Sequence, residues 1–178
     1  MKNVEVEVRS FISKEQHEEL LSFFRENSKL IKEDYQETYY FDSDQDLRIQ
    51  KNNLFSKIWL KKGDMHDDYR EEIEIVFDRD NFEKLEELFL TLGHSVNIKW
   101  FRNRHQFDWN GVKVCLDYTK GYGYVIELEM MGDEDNKEEL LDDLKSKFEE
   151  LGIGITPKKE FGQKFEHYKE NWKELVNN

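Results

Sequence analysis

Short segments of alternating apolar and polar residues recur along the chain and predict an antiparallel β protein. In the first segment, VEVEVR, valines alternate with charged residues, so one face of the strand is apolar and the other is charged. Where the connecting turns are short, neighbouring strands must pair antiparallel. Together with this first strand, about eight strands are predicted, the others over about 32–41, 46–50, 54–62, 70–77, 96–108, 112–118 and 123–131.

Other segments have the period of amphipathic helices. Ser13 and Gln16 form a capping-box pattern before the first helix, and Asp80 is placed to cap the second. Asn110–Gly111 separates two predicted strands and is a strong hairpin signal. The helices are predicted over about 14–28, 81–92 and 134–151, with a last, aromatic-rich helix from after Pro157 to about residue 175.

Length and composition favour one folded, soluble domain over residues 1–178. No segment rich in Pro, Gly or Ser divides the 178 residues. The one cysteine, Cys115, excludes an intramolecular disulfide and suggests a reducing, cytoplasmic setting. The N-terminus lacks the pattern of a signal peptide, and no apolar run is long enough to span a bilayer. We therefore expect no membrane association, and a monomer or homodimer.

The net charge of −13 disfavours nucleic-acid binding, because most of the surface repels a polyanion. A small anionic ligand would need a local basic pocket. Arginines two residues apart on one strand face suit bidentate phosphate contacts, and clustered carboxylates suit Mg²⁺, Mn²⁺ or Ca²⁺. The charged strand faces hold Glu5, Glu7 and Arg9; Arg48 and Gln50; Arg70, Glu72 and Glu74; Arg102 and Arg104; Lys113, Cys115 and Asp117; and Glu127 and Glu129.

Two interpretations of these charged faces remain open. Taken strand by strand, they are ordinary solvated faces of an antiparallel sheet. Taken together, they are unusual, because repeated Glu-x-Glu pairs repel one another unless cations neutralise them. The second interpretation predicts a charged interior that binds an anion together with metal ions.

In their order along the chain, these segments resemble the CYTH or triphosphate tunnel metalloenzyme superfamily. EVEVR stands where that superfamily has Glu-x-Glu-x-Lys, and the blocks ETYYFDS, DLRIQ, WLKKG, YREEIE, FRNR and VCLDYTKGYGYVIELEM follow in the family order. The last block is the most specific. The resemblance implies an α+β fold in which an eight-stranded antiparallel sheet closes into a tunnel with a charged interior and with helices packed on the outside.

The resemblance also implies roles for individual residues. Metal-binding acids would be Glu5, Glu7, Asp117, Glu127 and Glu129, holding Mg²⁺ or Mn²⁺. Phosphate-binding residues would be Arg9, Arg48, Lys62, Arg70, Arg102 and Arg104, with Glu72 and Glu74 in support. Catalytic roles would fall to Arg9, Glu127 and Glu129.

The sequence departs from the family pattern at two positions. Arg9 replaces the signature lysine, and a guanidinium does not lose its proton as an ammonium can, so a general-base role here is in doubt. Gln50 stands where a second arginine often occurs, which removes one cationic contact. These departures leave three functions open: hydrolysis of a triphosphate such as tripolyphosphate, thiamine triphosphate or a nucleoside triphosphate; cyclisation of ATP to cyclic AMP; and triphosphate binding without catalysis.

Overall fold

The computed structural model describes residues 4–62 and 71–177. Within these residues, eight strands and four helices follow one another in the order that the sequence patterns predict. The strands are β1 (Val4–Ile12), β2 (Lys29–Phe41), β3 (Asp46–Lys51), β4 (Phe55–Lys62), β5 (Glu71–Asp78), β6 (Val96–Trp109), β7 (Val112–Thr119) and β8 (Gly123–Gly132). The helices are α1 (Lys14–Asn27), α2 (Phe82–Thr91), α3 (Lys137–Glu150) and α4 (Lys158–Leu175).

All eight strands form one antiparallel sheet in the order β1-β8-β7-β6-β2-β3-β4-β5. The fold is therefore α+β, as predicted. The β2–β6 pairing is the longest and joins the two halves of the sheet, from Lys29 opposite Asp108 to Phe41 opposite Val96. Closure into a tunnel is not confirmed, because β1 and β5 are the two edges of the hydrogen-bonded sheet formed by the described residues.

Local signals in the sequence explain several element boundaries. Ser13 and Gln16 form the predicted capping box at the start of α1. Asn110 and Gly111 both have positive φ, as a tight hairpin turn between β6 and β7 requires. The prediction that Asp80 caps α2 is wrong, since Asp80 lies in a 3-10 turn and Asn81 precedes the helix without a side-chain cap. No helix in the described part of the chain is long and apolar enough to cross a membrane.

Three helices cover the apolar, convex face of the sheet. The alternating valines of β1 are buried there, with apolar residues of β7 and β8 and with Phe24 of α1 and Phe148 of α3. Helix α2 covers β2 and β3 through Phe82 and Leu85. Burying one side of each strand in this way fixes its register, because a shift by one residue would turn the charged side chains into the core. The charged residues must therefore face the other side.

The expectation that all helices pack on the outside is wrong for α4. Phe165 and Tyr168 of this helix form a cluster with Ile98, Trp100 and other residues that share the concave face of the sheet. Tyr168 also donates a hydrogen bond to the Lys99 carbonyl oxygen at 2.9 Å. Aromatic residues at every third or fourth position of α4 create an apolar stripe, and this stripe packs against the apolar residues of the concave face.

We predict that Phe24→Ala lowers the free energy of unfolding by about 3–5 kcal/mol, as is typical for a buried phenylalanine. Phe24 is fully buried, and its ring centroid lies 5.7 Å from that of Phe107 and 5.5 Å from that of Trp109. The matched control is Phe23→Ala, because Phe23 precedes it on α1 and is 38% exposed. Denaturant unfolding should give a much smaller loss for the control; equal losses would contradict the packing described here.

Candidate functional site

The concave face of the sheet encloses a cavity of about 370 Å³. Side chains from all eight strands line it, and Phe161 and Phe165 of α4 contribute to one part of the wall. Most of its polar lining is ionisable: Glu5, Glu7, Arg9, Lys32, Arg48, Lys57, Glu74, Arg102, Arg104, Lys113, Asp117, Glu127 and Glu129. The alternation in sequence thus produces one charged interior rather than several separate solvated faces.

The structure brings together every predicted site residue whose side chain it describes. Lys62 and Glu72 belong to β4 and β5, but their side chains are outside the described part of the structure. Arg70 lies outside the described residues altogether. The remaining predicted residues all line the cavity, namely Glu5, Glu7, Arg9, Arg48, Glu74, Arg102, Arg104, Asp117, Glu127 and Glu129.

Charge is distributed unevenly across the sheet. The neighbouring strands β1 and β8 supply Glu5, Glu7, Glu127 and Glu129, which we call the acidic wall. The bases Arg102, Arg104, Arg48 and Lys57 come from β6, β3 and β4, and we call them the basic wall. Strand β7 lies between β8 and β6, and its Asp117 faces the basic wall. Carboxylates are therefore concentrated on one side of the cavity and basic side chains on the other.

Asp117 fixes the two arginines of β6. Its carboxylate accepts hydrogen bonds from Nε and Nη2 of Arg104 at 2.8 and 2.7 Å, and from Nη1 of Arg102 at 3.2 Å. Asp117 and Arg104 are directly opposite in the β6–β7 register, which places this bidentate pair. Burial alone would raise the pKa of Asp117, but Arg104 and Arg102 outweigh it and hold that pKa below its usual range. Asp117 is therefore a charged anchor for both guanidinium groups.

Gln36 holds the other side of Arg102. Its side-chain oxygen accepts hydrogen bonds from Nε and Nη2 of Arg102 at 2.9 and 2.6 Å. The amide nitrogen of Gln36 donates to Asp34 at 3.1 Å, and Asp34 accepts a further bond from the Asn53 backbone. Both Gln36 and Asp34 are buried. Arg102 is thus oriented by a neutral amide, which leaves its positive charge in place.

Arg48, on β3, is held in a similar way by a near neighbour. Its Nε and Nη2 donate to the two carboxylate oxygens of Asp46 at 2.6 and 2.5 Å. Its guanidinium carbon also lies 4.2 Å from the ring centroid of Tyr40, within the range of a cation–π contact. Because these contacts fix both the position and the plane of the guanidinium, Arg48 presents its charge to the cavity from a single direction.

Two carboxyl groups of the acidic wall, those of Glu5 and Glu127, have shifted pKa values. Burial, together with the neighbouring carboxylate of Glu129, raises the pKa of Glu5 to about 7. Glu127 behaves differently: burial would raise its pKa, but Arg104 outweighs this effect and lowers it. In the β1–β8 register Glu7 lies opposite Glu129, and Arg9 lies opposite Glu127. Two like charges, those of Glu7 and Glu129, therefore face one another across this edge of the sheet, and Arg9 lies beside them.

The donor chemistry of the acidic wall fits a hard divalent cation, since carboxylate oxygens are the ligands that Mg²⁺ and Mn²⁺ prefer. Within residues 4–62 and 71–177, no three acidic, histidine or cysteine side chains stand close enough together to hold a metal ion as they are placed. Glu129 instead contacts Lys113, and Glu127 lies 3.4 Å from Arg104. A metal ion at these carboxylates would therefore compete with these basic partners.

The structure shows the surroundings of Gln50 and Cys115, two residues on the charged strand faces of the sequence. Gln50 is buried, and its amide nitrogen donates to the Thr38 hydroxyl at 2.8 Å, so this position lines the cavity as a neutral group. Cys115 is fully buried, and burial raises the pKa of its thiol to about 12. A protonated, buried thiol is not a nucleophile at neutral pH.

Several cavity residues received no role from the sequence, among them Gln36, Lys57 and Lys113. Lys57 is paired with Glu74 of the adjacent strand at 2.6 Å. The sequence does contain a signal that Lys113 belongs to the site, because Lys113 shares a strand face with Asp117. Gln36 likewise shares a face with Thr38 and Tyr40, but its partner Arg102 lies 66 residues away along the chain. Only the β2–β6 pairing brings the two together.

A family model, the CYTH domain, matches residues 3–158 of the chain. The chain therefore belongs to the CYTH domain family. The matched region contains every strand and all residues of the acidic and basic walls. Helix α4 begins where the match ends. A search of curated protein sequences finds no match.

Solved structures with the same fold include two archaeal proteins and one plant protein. A conserved hypothetical protein from Pyrococcus furiosus is 24% identical, with 84% of this chain and 91% of that chain covered and a TM-score of 0.73. A Pyrococcus horikoshii protein is 23% identical, with 86% and 93% covered and a TM-score of 0.74. A Hippeastrum protein, described as an adenylyl cyclase candidate with a dominant triphosphatase activity, is 19% identical, with 85% and 89% covered and a TM-score of 0.63.

We predict that Asp117→Asn destabilises the fold by about 3–5 kcal/mol, because it leaves two largely buried guanidinium groups without their shared counter-charge. The matched control is Glu127→Gln, since Glu127 makes only the longer contact with Arg104. Denaturant unfolding at neutral pH should show a clearly smaller loss for the control. A fully stable Asp117→Asn protein would mean that Asp117 does not anchor Arg102 and Arg104.

The same contact has a predicted pH dependence. Because the folded-state pKa of Asp117 is lowered, its stabilising contribution is present above the ordinary aspartate pKa, about 3.9, and is lost as the pH falls through the lower folded-state value. The wild-type protein should therefore keep this contribution at pH 5. Unfolding curves at pH 7 and pH 5 should show the same difference between wild type and Asp117→Asn.

Proposed function

We propose that this protein hydrolyses a triphosphate substrate in its cavity with the help of a divalent metal ion. The observation that carries the proposal is the division of one cavity into an acidic wall on β1 and β8 and a basic wall on β6, β3 and β4. A triphosphate bound with metal ions has the complementary arrangement, because its oxygens attract the bases while the ions attract the acids. Membership of the CYTH family supports the same conclusion.

The basic wall would bind and orient the phosphate chain. Arg102, Arg104 and Arg48 are already fixed by Gln36, Asp117 and Asp46, so little side-chain freedom is lost when an anion binds. Phosphoryl transfer depends mainly on positioning and on stabilising the charge that spreads over the phosphate oxygens. Guanidinium groups held in fixed directions provide both effects.

The acidic wall would hold the metal ions through Glu5, Glu7, Glu127 and Glu129. When bound, Mg²⁺ or Mn²⁺ supplies charge neutralisation and lowers the pKa of a coordinated water molecule that can attack phosphorus. The carboxylates of this chain serve to place the ions beside the phosphate chain. Arg9, at the same edge, would contact the phosphate oxygens nearest to the acids.

We also propose that the sheet acts as a tunnel around the substrate. The two edge strands both contribute to the cavity, through Glu5 and Glu7 of β1 and Glu74 of β5. Approach of these edges would exclude water and strengthen each charge interaction. Helix α4 already covers part of the concave face with Phe161 and Phe165.

Cyclisation of ATP is the second candidate, and the aromatic residues of the cavity favour it. Tyr40, Trp100, Tyr122 and Phe165 line the cavity and could contact an adenine ring. In that reaction the ribose 3′-hydroxyl attacks the α-phosphorus, and pyrophosphate leaves. The similarity to a Hippeastrum protein described as having a dominant triphosphatase activity is our reason for ranking hydrolysis first.

A product assay tests these proposals. The purified protein is incubated with Mg²⁺ or Mn²⁺ and, separately, with tripolyphosphate, thiamine triphosphate or ATP, and phosphate, pyrophosphate and cyclic AMP are resolved. Release of phosphate that stops on adding a chelator supports hydrolysis. Cyclic AMP with pyrophosphate would support cyclisation instead, and tight binding without any product would indicate a binding module.

Two variants show whether any activity arises in the cavity. Glu127→Gln should reduce phosphate release on the order of 100-fold, a loss typical of removing one electrostatic contact in a catalytic site. Glu134→Gln removes the same charge from an exposed side chain outside the cavity and should have no effect. Equal activity in the two variants would place the reaction elsewhere.

We predict that Arg9→Lys keeps tripolyphosphate binding within about tenfold, or about 1.4 kcal/mol, while Arg9→Ala loses more. Lysine preserves the positive charge, but it loses the planar contact that Arg9 makes over the ring of Phe161, whose centroid is 5.0 Å away. Calorimetric titration of tripolyphosphate measures both affinities.

Rates of phosphate release distinguish two roles for this position. If Arg9 only binds phosphate, Arg9→Lys should not increase the rate. A higher rate in Arg9→Lys would show that a lysine at this position acts as a base. Unchanged affinity and rate in Arg9→Ala would remove residue 9 from the site.

A further inference from the structure

Lys113 is a cation that lies among the carboxylates of the acidic wall. It belongs to β7, lines the cavity, and is directly opposite Glu129 in the β7–β8 register. Its ammonium group donates a hydrogen bond to Oε1 of Glu129. Glu7 lies on β1, the next strand of the sheet, and it is level with Lys113 and Glu129 because it pairs with Glu129 in the β1–β8 register. The strand pairing therefore places Lys113 in line with two acids of this wall.

The ammonium group of Lys113 has acidic neighbours on both adjacent strands. On β8 it contacts the carboxylate of Glu129. On the opposite strand Asp108 is the register partner of Lys113. Glu129 is almost fully buried, at 5% exposure, and its carboxylate needs a cationic partner there.

We propose that Lys113 is a resident counter-cation of the acidic wall, which neutralises Glu129 in the metal-free protein and competes with a divalent ion for that carboxylate. This inference deepens the proposed function, because it concerns how the same cavity accepts its metal ion. A cation cannot bind Glu129 at full strength while the ammonium group remains in contact with it. Lys113 therefore weakens metal binding and stabilises the metal-free fold.

Replacing the ammonium with an apolar group of similar length separates these two effects. In Lys113→Met the aliphatic stem is retained while the charge is lost, so Glu129 is left without its lysine partner. The repulsion among the carboxylates of Glu5, Glu7 and Glu129 then increases, and a divalent ion would relieve it. Lys113→Arg keeps a cation at the same position and serves as the charge-preserving control.

The test is calorimetric titration of Mn²⁺ into the metal-free protein at 0.15 M salt, with no triphosphate present. At this ionic strength distant charges are largely screened. Lys113→Met should bind Mn²⁺ at least about tenfold more tightly than the wild-type protein, a change of about 1.4 kcal/mol. Lys113→Arg should remain close to wild type.

Lys99→Met controls for the change in net charge. Lys99 pairs with Glu86 of α2 at 3.2 Å and contacts the ring of Tyr39, and it does not line the cavity. Its substitution should leave Mn²⁺ affinity unchanged. Equal or weaker Mn²⁺ binding by Lys113→Met than by wild type would overturn the proposal, and so would the same gain in Lys99→Met.

Thermal unfolding gives a second readout. In a chelator, Lys113→Met should unfold at a lower temperature than wild type, and saturating Mn²⁺ should raise its unfolding temperature by more than it raises that of wild type. An unchanged unfolding temperature in chelator would also overturn the proposal. If Lys113→Met does not fold without metal, refolding on addition of Mn²⁺ supports it, and failure to refold contradicts it.

These measurements separate the inference from the proposed function. Neither titration nor unfolding requires turnover of a triphosphate. A protein that releases no phosphate but shows the predicted gain in Mn²⁺ affinity would contradict the hydrolase proposal and support the role of Lys113. Phosphate release with no change in Mn²⁺ affinity would give the opposite result.

Discussion

The contact between Asp117 and the two arginines of β6 is the interaction on which the cavity depends. Two guanidinium groups side by side on one strand would repel each other and would be costly to bury without a counter-charge. One carboxylate on the adjacent strand accepts hydrogen bonds from both. Because Asp117 balances only part of their combined charge, the basic wall remains attractive to an anion. Gln36 adds orientation to Arg102 without adding negative charge.

This arrangement relies on the opposite face of the same strands. Leu116 on β7 is fully buried in the convex core, so Asp117 is turned into the cavity. The same holds for β8, where Ile126 and Leu128 fix the direction of Glu127. The hydrophobic core therefore supplies the free energy that keeps charged side chains facing one another, and register links the two faces directly. The same strand pairing therefore determines both the stability of the fold and the geometry of the cavity.

Sequence alone predicted what depends on local pattern. Alternation gave the strands and their charged faces, the Ser13–Gln16 box gave the start of α1, and Asn110–Gly111 gave the hairpin. Family resemblance grouped the acids and bases of the cavity. It did not reveal that Asp117 contacts arginines, because this depends on which strands are neighbours. The predicted position of α4 was wrong for a similar reason. An amphipathic stripe shows that a helix packs against the sheet, but it does not show which face of the sheet the helix covers.

The position of α4 makes the two parts of the cavity chemically different. Trp100 and Phe165 bring apolar rings to the region that this helix covers, while the acidic wall lies along β1 and β8. The charged part of the cavity suits a phosphate chain with metal ions, and the apolar part suits an aromatic ring. The CYTH match ends as α4 begins, so the element that provides this apolar cover lies outside the matched region. Under the proposed function, the charged walls would bind the phosphate chain, and α4 would determine what organic group, if any, can accompany it.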